Sequence, residues 1–186
     1  MGAHTDTRSR IQEVAIRLFT EQGYEATSLR EIAEALGVTK AALYYHFRTK
    51  EDIVASLVED RIKALDELIA WANRHPRDAE TRGELITRYS ALMTRGRAHE
   101  VMHFMDRNKT ALRGHAKVDL MRERMSELMR ALYEPDDPLP VKLRRSMALF
   151  AMHAAWFFVR DESTSEEERA AAGLQVALEL AEGSGG

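Results

Sequence analysis

The chain reads as all-α, with about nine helices in 186 residues. Three observations predict this class. Apolar residues recur at three- and four-residue spacing along most of the length, and alternating strand-like runs are absent. Four prolines and ten glycines are few interruptions, and Gly183, Gly185 and Gly186 stand together in the tail. Residues that start and stop helices fall between the periodic runs rather than inside them.

The first helix is expected from about Thr7 to Gln22, with Ile11, Val14, Ala15, Leu18 and Phe19 as its core stripe and Gly23 at its end. Next, Leu29, Ile32, Ala33 and Leu36 fall at i, i+3, i+4 and i+7, one apolar stripe on a short helix. Ser28 before it and Glu31 three residues on form a capping box that fixes its start. Gly37 stops it, because glycine tolerates the left-handed backbone just past a helix end. A third helix then turns Leu43 and Phe47 inward and Lys40, Ala41, Tyr44 and Tyr45 outward. Tyr44 and Tyr45 are consecutive and cannot both enter one core; one buried and one exposed is the alternative to both facing out. His46 either caps the helix end or faces out. Two helices on a tight glycine turn, the second outwardly basic and aromatic, are the arrangement that lays a helix in the DNA major groove.

A fourth helix opens near Lys50, with Glu51 and Asp52 suiting the positive end of its dipole. Ile53, Leu57, Ile62, Leu65, Leu68 and Ile69 carry it to about Arg74, where His75-Pro76 breaks it. Further helices are expected at about 79–95, 98–113, 116–133, 140–161 and 165–182. Gly96, Gly114, the Pro135–Pro140 stretch and the Ser163–Ser165 stretch separate them. Thr164 or Ser165, followed by Glu166, Glu167 and Glu168, reads as a capped start, and Gly183–Gly186 as a frayed tail. The fourth helix leaves no floppy linker, so the domains are expected at 1–49 and 50–186.

Charge and composition narrow the partners. The formal charge is −3, yet residues 1–50 hold 7 Lys or Arg against 6 Asp or Glu, and residues 38–50 carry Lys40, Arg48 and Lys50 with no acid. Phosphates respond to such a local surface, while an acidic remainder discourages indiscriminate coating of DNA. The absence of cysteine excludes disulfides, thiolate metal sites and cysteine nucleophiles, and is compatible with the expected cytoplasmic location. The longest apolar stretch, Met147–Val159, is 13 residues with His153 inside, too short to span a bilayer. The start, MGAHTDTRSR, lacks the apolar core of a secretion signal, and Asp6 spoils the myristoylation pattern after Gly2. No membrane partner is expected.

The segment Ser28–Lys50 resembles the tetracycline-repressor (TetR-like) family of transcriptional regulators. The resemblance rests on Gly23-Tyr24, Thr27-Ser28, Ile32-Ala33, Leu36-Gly37-Val38 and Leu43-Tyr44-Tyr45-His46-Phe47 leading to Lys50-Glu51. It is close over roughly residues 8–55, and beyond them covers only length and helical layout. The resemblance implies that the outward face of residues 39–46 and two flanking helix starts meet an operator in double-stranded DNA. Thr39 and Lys40 would begin the reading helix, Lys40 donating to guanine and Ala41 lying against a thymine methyl. Tyr44, Tyr45 and His46 would clamp phosphates or touch bases; Lys50, and Thr27, Ser28 and Arg30 at the preceding helix start, would hold further phosphates.

One such helix reads too few base pairs alone, and the family implies a homodimer on a palindromic operator. Residues 141–159 are apolar nearly all round, including Leu143, Met147, Phe150, Ala151, Ala154 and Phe158. The last helix adds Leu174, Ala177, Leu178 and Ala181, with Gly173 permitting close approach. These helices either pair two chains in a four-helix bundle or complete a monomer core. Methionines at 93, 102, 121 and 125 adapt to irregular shapes, and either fill the core or line a pocket for an apolar or amphipathic effector. Phe104, Trp156 and Phe157 would add flat walls to such a pocket, and His103, Asn108 and His153 its polar anchors. The small-molecule effector is implied by the family, as is repression, with an activator of the same fold as the other reading. An effector would favour one arrangement of the C-terminal helices and swing the heads through the fourth helix.

An enzyme is the first rival. Glu100-x-x-His103 has the spacing of di-metal bundles, but no second copy exists, and His99 and His103 lack a third firm ligand for a single ion. Gly-x-Ser-x-Gly, P-loop and dinucleotide patterns are absent, so neither catalysis nor a cofactor nor a metal is expected. The second rival is a helical metal-binding or interaction protein, against which the acid-free patch at residues 38–50 argues.

Overall fold

The computed structural model describes residues 2–94, 97–157 and 163–182, without the side chains of residues 2–6, 99 and 157. Nine helices are found among the described residues: α1 (Gly2–Glu21), α2 (Leu29–Leu36), α3 (Lys40–His46), α4 (Lys50–Ala72), α5 (Ala79–Met93), α6 (Ala98–Arg107), α7 (Ala116–Arg130), α8 (Leu139–Phe157) and α9 (Glu166–Glu182). None is long and apolar enough to cross a membrane. Gly96, Phe158 and the Gly183–Gly186 tail lie outside the described residues.

The starts and stops follow local chemistry. At α2, the Ser28 hydroxyl accepts the Glu31 N–H at 3.2 Å and the Glu31 carboxylate accepts the Ser28 N–H at 2.7 Å, a complete capping box. Gly37 ends α2 at φ 71°, where a side chain would be strained. The Thr39 hydroxyl caps α3 through the Ala42 N–H, and Thr49 and Asp52 exchange bonds at the start of α4. Of the two residues offered as the cap of α9, Ser165 takes the role, paired with Glu168. α6 is shorter than expected: past Arg107 the chain continues in hydrogen-bonded turns to Gly114.

Two compact units divide the chain, and neither ends at residue 49. The first comprises Met1–Ile62 and Glu100–Met121, the second Lys63–His99 and Arg122–Gly186. In the first unit, Ile11, Phe19, Ile32, Leu43, Phe47 and Ile53 share one core with Val101, Phe104 and Leu112. α6 and the turns after it add apolar residues to the core built by α1, the short helices α2 and α3 and the start of α4.

In the second unit α8 and α9 are the main pair, with α5 against both. Gly173 lets them close: a Cβ there would lie 3.2 Å from the Met152 Cα and 3.3 Å from the Ala155 Cβ. The small-residue face of α9 is therefore spent inside its own chain. Ala177 and Ala181 are buried beside Gly173, which corrects their expected place in an interface between copies. Outward on α9 stands Val176 instead.

Candidate nucleic-acid interface

α3 has seven residues and buries one of them fully, Leu43, followed by Phe47 at its extended C-cap. Two apolar anchors four apart turn one edge of the helix inward and leave the rest in water. Thr39, Lys40 and Ala41 are exposed, and His46 is half-buried. Tyr44 and Tyr45 are both exposed, at 40% and 74%, as the outward reading of α3 expects, and neither enters the core. The Lys40 ammonium lies 5.3 Å from the Tyr44 ring centre, and the Tyr45 ring meets His46 edge-on. On the far side, the Arg8 guanidinium covers the Phe47 ring at 5.1 Å.

An open cleft of about 470 Å³ lies beside this face, lined by Ser28, Arg30, Lys40, Tyr44, Thr49 and Lys50, with Glu25 and Glu51 also on it. The helix starts of α2 and α4 border it, so the positive ends of two helix dipoles and the cations Arg30, Lys40 and Lys50 share one space suited to an anionic backbone. Arg30 is exposed and held by Glu34 at 2.7 Å across one turn. Hydrogen bonds from the Ser28 side chain and backbone hold the Glu31 carboxyl below its ordinary range, so the cap is ionised at neutral pH.

Two residues expected to reach phosphates are committed elsewhere. Thr27 is fully buried, its hydroxyl donating to the Gly23 carbonyl at 2.9 Å and reaching the Leu18 carbonyl at 3.4 Å. Its side chain braces the α1–α2 turn and cannot reach DNA. The Lys50 ammonium donates to the Tyr24 carbonyl at 2.6 Å and the Glu25 carbonyl at 3.3 Å, and lies 4.6 Å from the Tyr24 ring centre. It presents its charge to the cleft while tying α4 to the turn before α2.

The residues expected to line an effector pocket divide between the two units. Met102, His103, Phe104, Asn108 and Met121 belong to the first unit; Met93, Met125, His153 and Trp156 belong to the second. Phe104 is fully buried with Phe19 and Tyr24 in the core of the first unit, and the Asn108 carboxamide is consumed by backbone groups there. Both are corrected from pocket to core. The side chains of Phe157 and His99 lie outside the description. In the second unit, sequence reasoning missed Tyr89, which is fully buried with its hydroxyl 2.7 Å from the His153 ring. Its place on the apolar stripe of α5, four residues from Met93 and Leu85, was the available signal.

The fold and this face define a helix–turn–helix protein with a second helical unit. Residues 11–57 match the family described as bacterial regulatory proteins, tetR family. The chain is 50% identical over 54 residues to the HTH-type transcriptional regulator AcrR of Shigella flexneri, covering 29% of this chain and 25% of that one. It is 42% identical over 53 residues to the biofilm operon icaADBC HTH-type negative transcriptional regulator IcaR of Staphylococcus epidermidis, 28% of this chain and 29% of that one. These matches span under a third of either relative's length. The fold extends further: the crystal structure of Mycobacterium smegmatis AmtR superposes with a TM-score of 0.69 at 24% identity, over 96% of this chain and 87% of that one.

Proposed function

We propose that the chain is a DNA-binding transcriptional regulator, a ligand-responsive repressor that binds a palindromic operator as a homodimer. The observation that carries the reading is the exposed, acid-free face of α3 from Thr39 to Tyr45, beside the capped starts of α2 and α4. Lys40, Ala41, Tyr44 and Tyr45 are the base-facing candidates; Ser28, Arg30, His46 and Lys50 belong with the phosphates. Repression is favoured by IcaR, a negative regulator by name, sharing the N-terminal domain.

The dimer reading is supported by α8. Leu139, Leu143, Met147 and Phe150 form one stripe at spacings of four, four and three, with exposures of 77%, 61%, 44% and 50%. Ala151 and Ala154 on α8, and Leu174 and Leu178 on α9, are half-buried and can extend such an interface. An apolar stripe of this kind is costly in water and marks a surface that another molecule covers. Two copies would give two heads whose spacing must match half-sites about one helical turn, ~34–36 Å, apart.

The effector reading places an apolar or amphipathic molecule in the second unit, near Met93, Met125, His153 and Trp156, with the Tyr89–His153 pair as the polar feature. Such a molecule releases DNA only to the extent that it binds the non-binding arrangement more tightly.

Three outcomes are expected. Affinity for a selected duplex should fall steeply with salt, and Lys40→Ala or Tyr44→Ala should weaken it by about three- to tenfold with helix content unchanged. A flat salt response, or unchanged affinity in both variants, contradicts the reading. In sedimentation, Leu143→Glu with Phe150→Glu should turn a dimer into a monomer; a wild-type chain already monomeric at micromolar concentration removes the dimer. In a thermal screen, an amphipathic compound that raises the melting temperature should also lower duplex affinity; hits that never do so remove the effector.

A further inference from the structure

Asn108 follows α6 directly, and its side chain is spent on a part of the chain 84 residues away. It is 8% exposed amid the apolar cluster of the first unit. Its Oδ1 accepts the Tyr24 backbone N–H at 2.8 Å; its Nδ2 donates to the Phe19 carbonyl at 3.2 Å and to the Phe104 carbonyl at 3.0 Å. Phe19 lies in the last turn of α1, where carbonyls have no partner within the helix, and Tyr24 lies in the turn beyond, where no helix supplies an acceptor. The end of α1 is thus capped from α6.

Tyr24 passes this connection on. Its ring packs edge-on against Phe19 at 5.2 Å and lies 6.5 Å from Phe104. Its hydroxyl donates to Glu51 at 3.0 Å, and its carbonyl accepts the Lys50 ammonium. Three residues on, buried Thr27 leads to Ser28, the cap of α2. His115, after the turns that follow Asn108, reaches the Glu51 carbonyl at 3.3 Å, a second link from this segment to the start of α4.

We propose that Asn108 is a positioning residue for DNA binding: its carboxamide clasps the α1–α2 turn to α6, so that the two DNA-facing helix starts hold their places only while α6 holds its own. The proposal rests on the DNA-binding reading and deepens it by naming where that surface is regulated. A buried carboxamide and a buried backbone N–H each lose a hydrogen bond they cannot replace if the clasp opens, so the clasp is made or broken as a whole. Whatever moves α6 therefore acts on the starts of α2 and α4 through one side chain, besides any movement carried along α4 itself.

The test uses the full chain and a selected duplex. Asn108→Ala should lower duplex affinity by about tenfold with helix content kept, and the Tyr24 amide should exchange with solvent faster. Asn108→Asp keeps the acceptor for Tyr24 and should leave that amide protected, with a smaller loss of affinity; it also serves where Asn108→Ala does not fold. Leu128→Ala, a fully buried position in the second unit, should lower the melting temperature yet leave the affinity of folded protein unchanged. Wild-type affinity in Asn108→Ala, or an equal loss in Leu128→Ala, overturns the positioning role. Failure of the wild type to bind any selected duplex sinks the DNA-binding reading instead. In that case an unchanged Tyr24 exchange rate in Asn108→Ala also removes the clasp.

Discussion

Helices of eight and seven residues do not persist alone in water, so everything that α2 and α3 present to a partner depends on the core beneath them. That core is made by Ile11, Phe19, Ile32, Leu43 and Phe47, each buried almost completely, where full burial contributes roughly 1.5–3 kcal/mol per large apolar side chain. Its geometry decides which side chains are left outside. Leu43 and Phe47 enter the core, and Thr39, Lys40, Ala41, Tyr44 and Tyr45 are therefore turned to water as one face. The outward face is a consequence of the inward one.

The same constraint explains why the N-terminal unit reaches beyond its first fifty residues. α1, the two short helices α2 and α3 and the start of α4 share the enclosure of Phe19 and Tyr24 with a later segment. Phe104, Val101 and Leu112 complete the enclosure, and Asn108 satisfies the backbone groups that the enclosure cuts off from solvent. Packing and polar satisfaction arrive together from one segment. The unit is held by contacts that are distant in sequence, a tighter arrangement than a bead on a helical stalk.

What was legible in the sequence was local. The capping box at Ser28 and Glu31, the glycine stop at Gly37 and the triple-glutamate start of α9 are decided by residues three or four apart, and each stands where expected. What was illegible was tertiary. Nothing near Thr27 says that its hydroxyl turns inward, and nothing near Lys50 says that two carbonyls will take its ammonium. On α9, Gly173, Ala177 and Ala181 form a small-residue face that suits a second copy or its own α8 equally well, and the 3.2 Å approach to Met152 goes to α8. Asn108 did leave a trace: it continues the apolar spacing of Val101, Phe104, Met105 and Leu112, and a polar residue on such a stripe is one that must be satisfied inside.

The central claim is that the outward face of α3 enters DNA. A photoreactive side chain placed at Tyr45, the most exposed aromatic of that face, tests it most directly, with the same group at exposed Glu67 of α4 for comparison. On irradiation with a selected duplex, the account predicts crosslinks to base edges from position 45 and none from position 67. Equal crosslinking from both positions, or none from position 45 while the duplex is bound, would contradict it.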